Sequence, residues 1–407
     1  MNVIKRVASI FLLTGAAALT QVAFAQQAIK IGAINPYSGP MALYGTEVTR
    51  GYELAVDQVN AAGGLMGRKI ELVRGDAANP QQGIATVEQL LSKDKVDLFI
   101  GTYISGVSNT ASDAALRHNK LYWETTAMAQ DLTDRSLPNF VRTGPSSINF
   151  AATSVDTVRD LIAPALKKDM KDLKVWLEHE ESIYGTSVAQ EQKRLFEALG
   201  VKVVGVGAHS SRSIDLNDTV LRAKQANPDV LIQTGYVPDA NLLIRTARDQ
   251  GFKPPAMLWV GTGDTIETLE AVGAPSLEGM LVIGFPRIDV VESFGPGAKA
   301  YLDAYRAKYK AEPIAPQGML AYVGMQMLFE AIKAAGSTNV EMVRAAAAKM
   351  DKPVGTYATG YGAKFDKNFQ NLRAFPVTVQ WQSGKVVTVF PKNAVSPGIA
   401  LKSLARN

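Results

Sequence analysis

Residues 29–74 read IKIGAINPYSGPMALYGTEVTRGYELAVDQVNAAGGLMGRKIELVR. The apolar run at 29–34 predicts a strand, and the Pro- and Gly-rich residues 35–45 predict a loop. Helical spacing follows over 46–62, with Leu54, Ala55 and Val59 on one face and Gly63-Gly64 as the stop. A second strand is expected at 69–74. Strand, helix, strand with continuously apolar strands is the pattern of a parallel sheet covered on both faces.

The pattern continues outward. Strands are expected at 97–100 and 120–123, with helices at 80–92 and 107–118. It then restarts: a helix at 147–167, strands at 174–178, 201–206, 230–233, 256–260 and 279–285, and helices at 187–199, 216–226 and 239–250. Long helices follow at 298–310 and 320–335, and a hairpin of 375–381 and 385–390 turns at Ser383-Gly384. The expected fold class is α/β: two doubly wound lobes with a small C-terminal β tail. Open α/β sheets bind ligands beyond the carboxyl ends of their strands, at helix N-termini that attract anions. That singles out residues 37–44, 103–107, 125–129, 180–185, 235–238 and 261–264.

Lys5 and Arg6, the apolar residues 7–19 and Ala23-Phe24-Ala25 have the order of a secretory signal peptide cleaved after Ala25. A retained signal anchor is the alternative. The chain has no cysteine, so neither a lipid-anchoring thiol nor a disulfide is available. The expected location is the periplasm. Residues 1–25 hold two basic residues and no acid, so their removal takes the formal charge from +5 to +3. With no basic run, nucleic-acid binding is not indicated. A chain of this length is expected to form two domains.

His118, His179 and His209 lie in separate segments, and no zinc or calcium motif is present. Neither a metal nor a cofactor is expected. Glu178-His179-Glu180-Glu181 could supply metal ligands, but adjacent residues rarely converge on one ion, so the run reads as a solvated strand end. Gly205-Val206-Gly207 has Ser210 where a dinucleotide fingerprint needs its third glycine, so a tight turn explains it. In Gly295-Pro296-Gly297-Ala298-Lys299 a proline removes an N–H that a phosphate loop would need. No nucleophile elbow exists. An enzyme is not expected.

Several strand-end motifs resemble the periplasmic solute-binding proteins of branched-chain amino-acid ABC transporters, the leucine/isoleucine/valine-binding family. They are Ile31-Gly32-Ala33 with Ser38-Gly39-Pro40 and Tyr44-Gly45, and Asn60 to Ile70 in the form N-x-x-G-G-x-x-G-x-x-I. Gly101 to Ser105, Tyr184-Gly185, Gly235-Tyr236 with Pro238, and Glu278-Gly279-Met280 follow in order. The resemblance implies a type I periplasmic binding fold, with two lobes joined by three chain crossings and a cleft that closes on its ligand. The lobes are expected at 26–145 plus 284–360 and at 146–283 plus 361–407.

The resemblance also implies ligand contacts. Ser105, with Gly106 beside it at a helix N-terminus, falls where the family binds a ligand carboxylate; an ordinary helix cap is the alternative. Thr126 and Met128 take the next two ligand positions. Tyr44, Tyr184 and Tyr236 match cleft aromatics, and read equally well as interface packing. Asp264 falls where an acid would meet the ligand ammonium, or it caps the following helix. Glu124, two residues before Thr126, is expected either to reach the pocket or to make a hinge hydrogen bond.

The chain departs from the family at Met128, where a threonine would accept from an ammonium, and at Gln317, where an aromatic would stand. The implied function is capture of a small carboxylate-bearing solute for an inner-membrane ABC permease and its ATPase, by a monomer. The alternatives are a periplasmic sensor and an exported α/β enzyme.

Overall fold

The structure is a computed structural model that describes residues 27–404. The expected signal peptide lies outside the described residues. The first sheet contains β1 (Ile29–Asn35), β2 (Ile70–Asp76), β3 (Leu98–Gly101), β4 (Tyr122–Glu124) and β5 (Phe140–Arg142), in the order β2-β1-β3-β4-β5. Every pairing in it is parallel. The helices α1 (Ala42–Ala61), α2 (Pro80–Gln89) and α3 (Ser105–Arg117) follow its first three strands.

Side chains alternate between the two faces, as a pleated strand requires. Ile31, Ile100, Trp123 and Val141 join the core beneath α1, whereas Ile34, Phe99, Tyr122 and Phe140 join a second core with Val107 and Ala111 of α3. Both faces are thus apolar, which is why these strands read as unbroken apolar runs.

The second sheet holds β6 (Lys174–Glu180), β7 (Lys202–His209), β8 (Val230–Thr234), β9 (Ala256–Val260), β10 (Leu281–Gly284), β11 (Val377–Gln382) and β12 (Lys385–Phe390). Their order is β12-β11-β10-β9-β8-β6-β7. The expected hairpin is present, and it extends this sheet rather than forming a separate tail, because β11 pairs antiparallel with β10. Here too the faces alternate: Leu177, Ile232 and Leu258 point into one core, Trp176, Leu231 and Met257 into the other.

The chain is back in the first lobe by the helix Ala298–Tyr309, where Tyr305 donates to Glu47 of α1 at 2.7 Å. The next helix, Gln317–Ala335, lies on α1. A Cβ on Gly51 would stand 2.0 Å from the Gly318 carbonyl oxygen, so glycine permits this close crossing. The segment expected to rejoin the second lobe from residue 361 instead runs along β5. There Arg142 N–H donates to Phe369 O and Asn371 N–H to Arg142 O, both at 2.9 Å. The crossing into β11 therefore comes after Asn371.

Three local expectations differ from the structure. α1 begins at Ala42, four residues early, because Gly45 acts as a contact glycine: its Cβ would fall 1.9 Å from Pro36 O. β5 was not expected, since three residues show no period. The helix Val340–Ala348 was also not expected; the Asn339 side chain caps it by accepting from Glu341 and Met342 N–H.

Candidate functional site

Among the parallel strands of each sheet the order reverses once, between β1 and β3 and between β6 and β8. Tyrosines converge at both points. Tyr44, in the first turn of α1, stacks on Tyr103, just after β3, with centroids 4.7 Å apart and planes 10° from parallel. Tyr184, in the helix Ile183–Ala198, meets Tyr236, just after β8, at 5.3 Å. Tyr103 and Tyr236 join the pairs across the lobes, edge to face, at 5.9 Å. All four rings are buried. Burial pushes each phenol above its ordinary value, so these hydroxyls stay neutral and can donate. Tyr184 OH donates to Val260 O at 2.8 Å, and Tyr44 OH reaches across to Thr265 Oγ1 at 3.4 Å. Tyr103 was not singled out in the sequence, although the rule that ligands sit beyond strand ends flagged its segment.

Ser105 is the first residue of α3, and Ile104 takes the capping position, so Ser105 is not the cap. Its Oγ accepts from the N–H groups of Met128 and Ala129, each at 3.2 Å. A hydroxyl has two acceptor lone pairs and one proton. With both lone pairs occupied, Ser105 has only its proton left to give, which makes it a dedicated donor. The first-turn N–H groups of Ser105 and Gly106 have no carbonyl partner within the helix, and the helix dipole adds partial positive charge there. Thr126 Oγ1, Thr102 Oγ1 and Thr262 Oγ1 are buried without a protein partner. Gln317 is buried in the first turn of its helix, with Oε1 equally unpartnered. The Met128 side chain is buried, and its Cε lies near Gly261, as does the Tyr184 hydroxyl.

Two of the candidate ligand contacts are engaged elsewhere. Glu124 is engaged with the backbone and a hydroxyl of its own lobe. Its Oε1 accepts from the N–H groups of Thr125, Thr126 and Ala127 at 2.8, 2.9 and 3.0 Å, and its Oε2 from Thr102 N–H at 2.8 Å and from the Ser108 hydroxyl. Burial pushes this carboxyl up to about 7, against the pull of those donors. Asp264 does not cap the next helix either, since Thr265 does. Its Oδ2 pairs with Arg287 Nη1 at 2.9 Å, and Arg287 also donates to its carbonyl. The acid expected to meet a ligand ammonium is already paired with Arg287.

The run 178–181 is not a solvated strand end, because Glu178 and Glu180 are both buried. Glu180 accepts from Ser182 and Gly185 N–H, each at 2.7 Å, at the start of the helix Ile183–Ala198. Glu178 Oε1 and Asp239 Oδ2 flank His209, at 2.8 Å from Nδ1 and 3.1 Å from Nε2. Burial alone would lower His209, but the carboxylates of Asp239 and Glu178 outweigh it and push it up to about 9. Asp239 also accepts from Tyr236 N–H at 3.0 Å, so this ion cluster fixes the backbone of a cleft tyrosine.

Between the lobes lies a chamber of about 490 Å³. Of the expected residues, Gly106 and Tyr236 line it, while Tyr44, Ser105, Thr126, Met128 and Tyr184 are buried.

The sequence model of a family described as periplasmic binding protein matches residues 28–385. The chain belongs to the periplasmic binding protein family. Among its relatives, Leu/Ile/Val-binding protein homolog 7 of Brucella suis biovar 1 (strain 1330) is 38% identical over 390 residues, covering 96% of this chain and 98% of the relative. Two solved structures share the fold of this periplasmic binding protein. One is the branched-chain amino acid transporter substrate binding protein LivJ from Streptococcus pneumoniae in complex with isoleucine, with a TM-score of 0.75, 24% identity and coverage of 89% and 99%. The other is a solute binding protein of an ABC transporter from Rhodopseudomonas palustris HaA2 in complex with p-hydroxybenzoic acid, with a TM-score of 0.77, 21% identity and coverage of 89% and 95%. The type I periplasmic binding fold drawn from the motifs is the fold of this periplasmic binding protein.

Proposed function

We propose that this protein is a periplasmic receptor that captures a small carboxylate-bearing solute in its interlobe cleft and hands it to an ABC permease with its ATPase. The observation that carries this reading is Ser105, whose lone pairs are both taken, leaving one proton to donate beside the free N–H groups of α3. The protein works by binding alone. Closure of the lobes is a population shift driven by contacts that exist only when both lobes reach the ligand.

An acid without an ammonium group fits this site better than leucine, isoleucine or valine. Met128 supplies no strong acceptor, and Asp264 is held by Arg287. A buried ammonium lacking acceptors is costly.

Calorimetric titration with benzoate, 4-hydroxybenzoate and leucine tests the reading. Ser105→Ala is expected to weaken carboxylate binding by about 1.5–3 kcal/mol, roughly 10- to 100-fold in Kd. A variant within twofold of wild type would remove Ser105 from the site. Submicromolar leucine binding, unimproved by Met128→Thr, would overturn the preference against amino acids.

A further inference from the structure

We propose that the interlobe chamber takes a two-ended organic acid, with Arg212 as the anchor for its second carboxylate. The inference rests on the carboxylate reading of the α3 N-terminus. Both lobes contribute to the chamber walls: Met41, Pro80, Ile104 and Gly106 from the first, Arg212 and Pro238 from the second. Arg212 is the one charged residue among its lining residues. It lies in the exposed loop after β7, and among the described residues no carboxylate comes within ion-pair distance of its guanidinium. Its backbone N–H is occupied with Ser210 Oγ at 3.4 Å, which holds the loop locally while the side chain keeps its donors.

Two anion-seeking groups therefore share one chamber from opposite lobes: the first turn of α3, represented by Gly106, and the Arg212 fork. The remaining walls are largely apolar, so the body joining two carboxylates would be hydrocarbon, aromatic or aliphatic. A monoacid would satisfy one end and leave Arg212 without a partner as the cleft closes. A zwitterionic amino acid anchored at α3 would carry a second cation into a chamber that already holds one. A diacid meets both ends and touches both lobes, so its contacts favour the closed state directly.

The test is calorimetry on the full chain with matched pairs: benzene-1,4-dicarboxylate against benzoate, and hexanedioate against hexanoate. Wild type is expected to bind at least one diacid about tenfold or more tightly than its monoacid, the value of a charge-assisted pair that stays partly in water. Arg212→Gln should abolish that gap while leaving monoacid affinity within twofold, and Arg212→Lys should restore part of it. Equal affinities within each pair, or a gap that survives in Arg212→Gln, overturn the proposal. If monoacids bind and lose affinity in Ser105→Ala while Arg212→Gln affects no acid, only the second anchor falls. If no acid of the panel binds, the carboxylate reading falls and takes this proposal with it.

Discussion

Replacing His209 by leucine is expected to lower the unfolding free energy by about 3–5 kcal/mol, the cost of breaking a buried ion cluster from one side. Glu178 and Asp239 would remain, both buried, without the cation between them. The groups facing the ring come from three elements: Glu178 from β6, Asp239 from the helix Val237–Asp249, and Gln233 of β8, which donates to Asp239 at 3.2 Å. The Trp176 indole donates to Glu178 at 3.0 Å. The same cluster predicts a pH dependence. His209 is raised from 6.5 to about 9, so its contribution is fully present below pH 6.5 and lost as pH rises through 9. A shift of this size corresponds to on the order of 3 kcal/mol. Denaturant unfolding of wild type and variant at pH 6.5 and pH 9 checks both statements. A wild type equally stable at the two pH values, with a variant within 1 kcal/mol of it (about one pKa unit), would dissolve the cluster as a stabilising unit.

The second large effect is expected at Glu124. Glu124→Ala removes the acceptor for four backbone N–H groups and the Ser108 hydroxyl. A buried donor left without an acceptor costs about 1–3 kcal/mol. Water entering the space offsets part of that, so a net loss of about 3–5 kcal/mol is expected. Glu124→Gln keeps the volume and one acceptor oxygen, and should fall between the alanine variant and wild type. The loop that Glu124 ties down carries Thr126 and leads to Met128, whose N–H meets Ser105, so ligand affinity should fall along with stability. Chemical denaturation of the three proteins, with titration of a bound carboxylate, measures both. An alanine variant as stable as wild type would mean the hub contributes little.

The fold was legible because its strands are buried on both faces: a run such as IKIGAI carries its assignment within itself. The site was partly legible for the same local reason. The rule for open sheets pointed to the segments that hold Tyr44, Ser105, Tyr184 and Tyr236, because they follow strands whose ends could be placed. The part each would play toward a ligand came only from the family resemblance. What could not be read were pairings between distant segments. Glu178 looks solvated until His209, 31 residues later, is brought beside it. Asp264 looks available until Arg287 arrives from beyond β10. Glu124 looked able to face a ligand because a two-residue spacing gives side but not partner. Arg212 sits in SSRSID, a polar stretch with no period, where the sequence shows a loop and nothing of what it faces.

The crossings between lobes also set the order in which the molecule can be completed. α1 waits for its cover until the helix Gln317–Ala335 exists, and β10 waits for β11, which starts at Val377. Neither half of the chain can finish a lobe alone as synthesis proceeds from the N-terminus. Such long-range closure slows folding, because loop entropy must be lost before the distant contacts form. The topology that supplies the hinge thus keeps the polypeptide pliable until the helix Gln317–Ala335 and β11 have been made.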